Sequence, residues 1–371
     1  MRIDNTKKTK RVLGLAAAFA VVLGACGGGD DAAEAPTATD AEEVELTSSD
    51  GGILAAVQER GVLRCGVSGA AVAFSFTEAD GSMNGIDADY CRAVAAAVLG
   101  DATAVEFVSL TAAERFTAIQ TGSIDVLMRN TTWTQSRDTD VGMDFGPTTY
   151  FDGQQLMARA ADGFTTSSQV SDVDGAVVCT NAGTTTETNI SELASVLGIK
   201  ITLTTFEDYD QVTDAFLAGT CDVITTDGSG LVGRKSIQEP SKDAWVIFPA
   251  APFSKEPLGP VYAQNDSKWA DVVNWTVYAT FIADEYGVDS DKVSAAAAGD
   301  FGPEMVRLMG GEGELQSVMG LSATAFADVI TQVGNYQQIW DRNLTPVGLV
   351  REGSANALWN KGGLLYAPPA R

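Results

Sequence analysis

The stretch FTAIQTGSIDVLMRN, residues 116–130, decides the fold. A helical segment ends at a glycine, Asp125 stands three residues later, and an apolar run follows that predicts a buried strand. The stretch DAFLAGTCDVITTD, residues 214–227, repeats this order, with Asp222 three residues beyond the glycine. Two copies of one helix–glycine–strand unit predict two related α/β halves, each built on a mostly parallel sheet flanked by helices.

Polar residues follow the predicted strand of each unit. The first strand leads into RNTTWTQSR, residues 129–137, at the place where parallel sheets present ligand sites. The Arg137 guanidinium can bind a carboxylate through two parallel hydrogen bonds. Asn130 and Asp227 each lie five residues beyond the aspartate of their unit, so they occupy equivalent strand exits. An arginine for a carboxylate and an aspartate for an ammonium predict a zwitterion site. For residues 129–137 alone, an ordinary loop with a surface arginine is the alternative.

Residues 1–25 predict a secretory signal peptide. Before an apolar run that is too short to span a bilayer stand the basic residues Lys7, Lys8, Lys10 and Arg11. The sequence LGAC, residues 23–26, is similar to the cleavage box of bacterial lipoproteins, in which Cys26 would become the lipidated first residue. A plain signal peptide with an incidental cysteine is the alternative. Residues 26–51 are rich in glycine, alanine, threonine and acids, and they predict a flexible tether to a lipid anchor in the membrane.

The composition excludes several classes of function. The chain carries 24 basic and 49 acidic residues, a formal net charge of −25. Without residues 1–25, which hold five basic residues and Asp4, the charge is −29. Such acidity argues against nucleic acid as a partner, because nucleic-acid binding requires basic patches. The absence of histidine excludes histidine triads, imidazole bases and histidine metal sites. We expect no metal and no cofactor.

Four cysteines follow Cys26, and in an exported protein they predict two disulfides. Cys65 and Cys179 lie in matching strands, one in each half. We therefore expect the pairs Cys65–Cys91 and Cys179–Cys221 among the three possible connectivities. Buried free thiols are the alternative. A zinc site is poorly supported, since no two cysteines have the Cys-x2-Cys spacing.

The order of the predicted elements indicates that one lobe is inserted into the other. Residues 52–152 form the first part of lobe 1, and residues 153–258 form lobe 2. Residues 259–371 return to lobe 1 and add a C-terminal helical extension. The chain would cross between the lobes twice, near 150–154 and near 253–260. Within lobe 1 we expect Asp87 to cap a helix that begins at the next residue.

Taken together, these residues make the chain similar to the solute-binding proteins of polar amino-acid ABC transporters. Within that family it resembles the general L-amino-acid binding subgroup. The resemblance covers residues 53–371. It lies in the segments DADYCRAVAAAV (87–98), LTAAERFTA (110–118), RNTTWTQSRD (129–138), GTTTE (183–187), SKEPLGP (254–260), VGNY (333–336) and the C-terminal segment 356–369. It implies the type II periplasmic-binding fold, in which two lobes close around one amino acid, and an ABC-type permease as the partner of an extracytoplasmic monomer.

The resemblance also implies roles for six residues. Arg137 would bind the α-carboxylate, helped by Thr132, Thr185 and the backbone N–H groups beside Thr185. Asp227 would bind the α-ammonium with the help of Asn130. A sixth residue, Phe74, would form the apolar wall.

The resemblance leaves the side chain of the ligand undefined. Binders of basic amino acids place an acid and an aromatic just after the first strand, whereas SGAAVA, residues 68–73, stands here. Acidic, amide or broad specificity stays open. Two other functions remain as alternatives. One is an enzyme on this scaffold similar to cyclohexadienyl dehydratase, although we find no unassigned acid or base for it. The other is a sensor lobe, which would need a fused membrane span.

Overall fold

The computed structural model describes residues 52–238, 244–310, 313 and 315–371. The expected signal peptide (1–25), Cys26 and the tether (26–51) lie outside the described residues. Among the residues described, no helix combines the length and the apolar character that crossing a membrane requires.

Apolar segments bounded by glycine, proline and polar residues form the strands. The strands are β1 Leu63–Val67, β2 Ala70–Ala71, β3 Ser75–Thr77, β4 Met83–Asn84, β5 Val105–Ser109, β6 Val126–Thr132, β7 Met143–Phe145, β8 Tyr150–Asp152, β9 Gln154–Arg159, β10 Val177–Asn181, β11 Thr202–Phe206, β12 Val223–Asp227, β13 Trp245–Phe248 and β14 Glu256–Ala263.

The strands form two large mixed sheets and one small sheet. The first sheet has the order β5-β1-β6-β14-β7, with β8 also paired to β14. The second has the order β11-β10-β12-β9-β13, and β2, β3 and β4 form the small sheet. In both large sheets three strands run parallel and are joined by helices, and the strand beside them, β14 in the first sheet and β9 in the second, runs antiparallel to them. The strands beyond it, β7 and β8 in the first sheet and β13 in the second, run in the same direction as the three parallel strands. We call the parts built on the first and second sheets lobe 1 and lobe 2. The predicted two-lobed α/β class is confirmed.

Helices flank both sheets and cover lobe 1 further after residue 286. The helices are α1 Gly52–Arg60, α2 Ile86–Leu99, α3 Arg115–Gln120, α4 Gln135–Thr139, α5 Thr185–Leu197, α6 Tyr209–Leu217, α7 Gly228–Ser236, α8 Ser267–Glu285, α9 Val293–Ala298, α10 Pro303–Leu308, α11 Leu315–Val318, α12 Ala325–Gln332 and α13 Tyr336–Asn343.

The aspartate of each repeated unit makes the same contacts in both lobes. The Asp125 carboxylate accepts a hydrogen bond from the Arg64 N–H at 2.7 Å, while the Asp125 N–H donates to the Arg64 C=O. Asp222 forms the same pair of bonds with Val177, with 2.8 Å to its carboxylate. Each aspartate therefore fastens the start of one central strand to the next, which gives the repeated sequence a structural reason.

The chain passes between the lobes at two neighbouring places. It leaves the first sheet after β8 and enters the second at β9, and it returns from β13 to β14. The two crossing segments pair with each other, since Asp152 lies opposite Glu256 in the ladder of β8 and β14. This pairing gives the molecule a two-stranded hinge.

Each lobe contains one disulfide bond. Cys65 of β1 is bonded to Cys91 of α2, and Cys179 of β10 is bonded to Cys221, which precedes β12. Both predicted pairs are confirmed. All four cysteines lie within hydrophobic clusters of their own lobe.

The C-terminal extension binds the hinge as well as lobe 1. The Asn356 side chain forms hydrogen bonds with both the N–H and the C=O of Phe151 in β8, at 2.7 and 3.0 Å. The Tyr336 hydroxyl donates to the C=O of Thr149 at 2.7 Å. The turn at Thr345–Val347 lies beside α7 of lobe 2. Residues far along the chain thus fix the strand where the lobes join.

The expected helix cap at Asp87 is wrong. The helix begins at Ile86, and Gly85 occupies the capping position with φ 125°. A Cβ on Gly85 would lie 2.1 Å from the Phe74 carbonyl oxygen, so only glycine fits there. Asp87 is instead buried, and its carboxylate accepts a hydrogen bond from the Asn130 N–H at 2.8 Å.

Candidate functional site

A cavity of about 220 Å³, the site cavity, is lined by residues of both lobes. Its lining residues stand at the carboxyl ends of six parallel strands. Ser68 follows β1, Leu110 follows β5, Thr132 ends β6, Asn181 ends β10, Asp208 follows β11 and Asp227 ends β12. The cavity therefore lies where α/β sheets present ligand sites.

Five of the six predicted ligand residues line this cavity together, namely Arg137, Asp227, Thr132, Asn130 and Thr185. Phe74 does not join them. Its side chain is 2% exposed and its ring packs edge-on against Tyr150, with the centroids 5.2 Å apart. Small and aliphatic residues supply the apolar lining instead, and these are Ala70, Ala71, Val72 and Leu110. The structure thus places Phe74 in the core of lobe 1.

Arg137 is held at the cavity by its own segment. It lies in α4, whose capping residue Thr134 accepts a hydrogen bond from the Arg137 N–H. Its Nη1 donates to the C=O of Thr132 at 2.8 Å, and the guanidinium lies 5.4 Å from the centroid of the Phe116 ring. Burial lowers the pKa of Arg137, and the carboxylates of Glu256 and Asp227 oppose that effect. Arg137 therefore presents a fixed, partly desolvated positive charge.

Asn130 has a strained backbone that Asp87 maintains. Its φ of +24° is unusual for a residue other than glycine, although asparagine tolerates positive φ better than most residues. The hydrogen bond to the Asp87 carboxylate holds this conformation. Burial raises the pKa of Asp87 to about 7, while the Asn130 N–H and the charge of Arg129 lower it. The Asn130 Oδ1 is buried and, among the described residues, has no hydrogen-bond donor.

Asp227 is buried at the start of α7 with one carboxylate oxygen unpaired. Oδ1 has no hydrogen-bond partner within the described part of the chain. Burial raises the pKa of Asp227 well above its usual range, and the nearby carboxyls of Asp152 and Glu256 raise it further. Arg137 and Arg115 act in the opposite direction. A buried carboxyl in this position requires a cation or a donor from a ligand.

Glu256, which the sequence reasoning assigned no role, joins the two lobes beside the cavity. Its side chain is 1% exposed. Its Oε2 accepts hydrogen bonds from the Thr132 hydroxyl of lobe 1 at 2.6 Å and from the Thr185 hydroxyl of lobe 2 at 2.9 Å. Its Oε1 accepts from Asn189 at 2.8 Å and from Ser254 at 2.6 Å. One carboxylate thus bridges the strand exit of lobe 1 and the first turn of α5.

Three further arginines line the cavity besides Arg137, and the sequence reasoning assigned none of them. The Arg129 Nε donates to the Leu110 C=O at 2.9 Å. Arg234 of lobe 2 pairs with Asp210 at 2.5 Å and donates to the C=O of Ala70 in lobe 1 at 2.9 Å. Arg115 is the third. Its segment LTAAERFTA is one of those that resemble the amino-acid-binding family, but the resemblance implied no role for Arg115.

The site cavity suits an organic zwitterion better than a metal. In the described ranges, no three histidine, cysteine, aspartate or glutamate side chains stand close enough together to hold a metal ion. Positive and negative side chains from both lobes instead line one cavity. Such an arrangement can bind the two charged ends of one small molecule at the same time.

Comparison with known proteins identifies the family of the chain. Residues 63–278 match the family model for bacterial extracellular solute-binding proteins, family 3. The general L-amino acid-binding periplasmic protein AapJ of Rhizobium johnstonii is 42% identical over 324 residues, which are 86% of this chain and 92% of AapJ. The glutamate/glutamine/aspartate/asparagine-binding protein BztA of Rhodobacter capsulatus is 40% identical over 318 residues, which are 85% of this chain and 92% of BztA.

A solved structure is similar over the same length. It is a periplasmic binding protein of an ABC transporter from Brucella ovis with glutathione bound. The identity is 40% and the TM-score is 0.81, with 86% of this chain and 99% of that one covered.

Proposed function

Because the chain belongs to family 3 of the bacterial extracellular solute-binding proteins, we propose that it captures an L-amino acid outside the cytoplasm and delivers it to an ABC-type permease. The relatives AapJ and BztA are named for amino-acid binding and match this chain over most of its length. The fold supports the same function, since its two lobes enclose a small cavity beside a hinge.

The observation that carries the proposal is the pair of opposite charges on the two walls of the cavity. Arg137 stands in lobe 1 and Asp227 in lobe 2, and both are buried. An amino acid supplies what both side chains require, since its carboxylate faces the arginine and its ammonium faces the aspartate. Burial of such charges is tolerated when each has a partner.

We assign the α-ammonium to two buried acceptors. An ammonium donates three hydrogen bonds and accepts none. Asp227 Oδ1 and Asn130 Oδ1 are both buried and lack a donor from the described residues. The ammonium would satisfy both oxygens, and it would also favour the ionised form of Asp227.

The α-carboxylate is assigned to Arg137 and the N-terminus of α5. The first N–H groups of a helix have no partner within the helix and carry partial positive charge. Thr132 and Thr185 take a different role from the one first expected. Each hydroxyl has a single hydrogen, and both hydrogens are donated to Glu256. We therefore assign these two threonines to lobe closure rather than to donation toward the carboxylate.

Glutathione is a second candidate ligand, because the Brucella ovis relative was solved with glutathione bound. The γ-glutamyl end of glutathione carries the same α-ammonium and α-carboxylate as a free amino acid. The same pair of charged residues would therefore hold it. Titration with glutathione beside the twenty amino acids separates the two candidates.

The binding function is preferred over the dehydratase-like alternative. The relatives are named for binding, and the buried carboxyls of the cavity, Asp227 and Glu256, are assigned to the ligand and to the lobe contact. Incubation of the protein with prephenate or arogenate and analysis of the products tests this assignment. Formation of an aromatic product would overturn it.

We further propose that the protein acts as a monomer anchored by lipid at Cys26. The chemistry of residues 1–26 supports the anchor, since a short apolar run ends at a lipoprotein-like box. Fractionation of cells that carry Cys26→Ser tests the anchor, and sedimentation of the soluble domain tests the oligomeric state.

The zwitterion assignment predicts the behaviour of two variants. Arg137→Met and Asp227→Asn each leave one ligand charge buried without its partner. The expected cost is about 2–5 kcal/mol, or at least about 30-fold in affinity. The loss should be similar for every amino acid bound, because these residues contact only the α-groups. Isothermal titration calorimetry of protein stripped of ligand measures it.

Two surface variants serve as matched controls. Lys200 and Asp214 are exposed residues of lobe 2, so Lys200→Ala and Asp214→Asn should retain wild-type affinity. Wild-type affinity in either cavity variant, or a loss confined to one class of side chain, would place the zwitterion site elsewhere.

A further inference from the structure

The Arg115 side chain lacks a hydrogen-bond or ion-pair partner among the residues that the structure describes. It is 3% exposed and lines the cavity from the first turn of α3. Its Nε is buried without a hydrogen-bond partner, and no ion pair involves Arg115 among the described residues. The guanidinium lies over the ring of Phe116, 4.9 Å from its centroid.

The other cavity arginines differ in this respect. The side chains of Arg129, Arg137 and Arg234 all donate to backbone carbonyls, and Arg234 is also paired with Asp210. Burial lowers the pKa of Arg115 well below its ordinary value, and the charges of Arg137 and Arg129 lower it further. Asp227 opposes this effect. A buried guanidinium beside two other cations requires an anion.

Lobe 2 contributes a second polar group without a partner. The Tyr209 hydroxyl, at the start of α6, is buried and lacks a hydrogen-bond partner within the described part of the chain. Tyr209 lines the same cavity as Arg115. A phenolic hydroxyl can donate to a carboxylate or to a carboxamide oxygen. The cavity therefore holds two unused donors, one on each lobe, besides the groups assigned to the zwitterion.

We propose that Arg115 and Tyr209 form a side-chain subsite for an amino acid that ends in a carboxylate, with a carboxamide as the weaker ligand. This inference rests on the proposed function, because the zwitterion must occupy Arg137 and Asp227 first. It selects L-glutamate and L-aspartate as the preferred ligands. L-Glutamine and L-asparagine satisfy the same donors without a full charge, and L-alanine leaves both unpaired.

Arg115→Met tests the subsite, because methionine keeps much of the side-chain length and removes the charge. The affinity for L-glutamate should fall at least about 30-fold. The affinity for L-glutamine should fall less, and that for L-alanine should change less than about threefold. Isothermal titration with these three ligands gives the comparison. Arg115→Lys should keep the preference for L-glutamate over L-alanine, because it retains a cation.

Tyr209→Phe provides an independent test in case Arg115→Met does not fold. Loss of one hydroxyl should lower the affinity for L-glutamate and L-glutamine about 3- to 30-fold and leave that for L-alanine unchanged. An equal loss for all three ligands in the Arg115 and Tyr209 variants would overturn the subsite. Tighter wild-type binding of L-alanine than of L-glutamate would also overturn it.

Arg137→Met, measured in the same series, separates this inference from the proposed function. If Arg137→Met abolishes binding of all three ligands while Arg115→Met changes none, the function stands and the subsite is wrong. If Arg137→Met retains binding of all three, the zwitterion assignment itself is wrong.

Discussion

At the residue scale, the role proposed for Asp227 predicts that amino-acid binding depends on pH. Its pKa is raised by burial and by the neighbouring carboxyls of Asp152 and Glu256. The pKa of Asp152 is itself raised to about 6, mainly by burial. A ligand ammonium favours ionised Asp227, so a protonated Asp227 must lose its proton before the ligand binds.

The affinity for amino acids should therefore fall as the pH decreases through the pKa of Asp227. Below that pKa the fall should approach tenfold per pH unit, because one proton competes with one ligand. Titration calorimetry at pH 8, 7, 6 and 5 measures the fall. Parallel titrations in two buffers of different ionisation enthalpy should show that binding releases protons.

Asp152→Asn provides the matched variant for this prediction. It removes a neighbouring negative charge that raises the pKa of Asp227, so the loss of affinity should begin at lower pH than in the wild type. Constant affinity from pH 8 to pH 5, or a loss that begins at higher pH in Asp152→Asn, would contradict the role given to Asp227.

A repeat and a motif in the sequence pointed to two residues that the structure places in the lining of the cavity. Asp227 followed from its position five residues beyond the repeated aspartate, and Arg137 from the polar segment that contains it. Arg115 and Glu256 carried no such signal, because the importance of each depends on unpaired or bridging contacts made only after folding. Phe74 carried a signal that was ambiguous. An aromatic residue in a loop can face either the core or the ligand, and the sequence does not distinguish the two.

At the scale of elements, the sequence predicted which segments form helices and strands better than where each begins. The repeated unit identified β6 and β12, and the apolar runs identified their neighbours. The first helix of the repeat begins only at Arg115, because the Thr111 and Glu114 side chains form a hydrogen-bonded turn before it. Local side-chain bonds of this kind shift element boundaries without changing the order of elements.

The contact between β6, β14 and α5 predicts a second effect on affinity. Glu256→Gln removes the charge that accepts hydrogen bonds from both Thr132 and Thr185, so the closed arrangement should be less favourable. The affinity should fall about 5- to 50-fold for all amino acids, with their order of preference unchanged. Small-angle X-ray scattering should show less compaction at a ligand concentration that saturates the wild type.

Glu192→Gln, on an exposed position of the same helix α5, is the control for this variant. It should bind and close as the wild type does. A change in the order of ligand preference in Glu256→Gln would show that Glu256 contacts the ligand rather than joining the lobes.

At the scale of the whole molecule, the lobes and the proposed anchor have separate tasks. The cavity is lined by residues that the structure describes, while Cys26 lies outside them. Cys26→Ser should therefore release the protein from membranes, or stop its maturation, and leave amino-acid affinity unchanged. Membrane fractionation and metabolic labelling with palmitate measure the first effect, and calorimetry of the released protein measures the second. Unchanged retention in the membrane would indicate a different anchor.

The return of the chain to lobe 1 has a consequence for biogenesis. Strand β14 pairs with β6, β7 and β8, yet it is made only after every strand of lobe 2. During synthesis and export from the amino end, the Cys65–Cys91 pair and all of lobe 2 emerge before β14 does. Lobe 2 has its full set of strands at that point, whereas β6 still presents an open edge, and such edges are prone to aggregation. We therefore expect the half-made first lobe to be more prone to aggregation than lobe 2 until β14 is added.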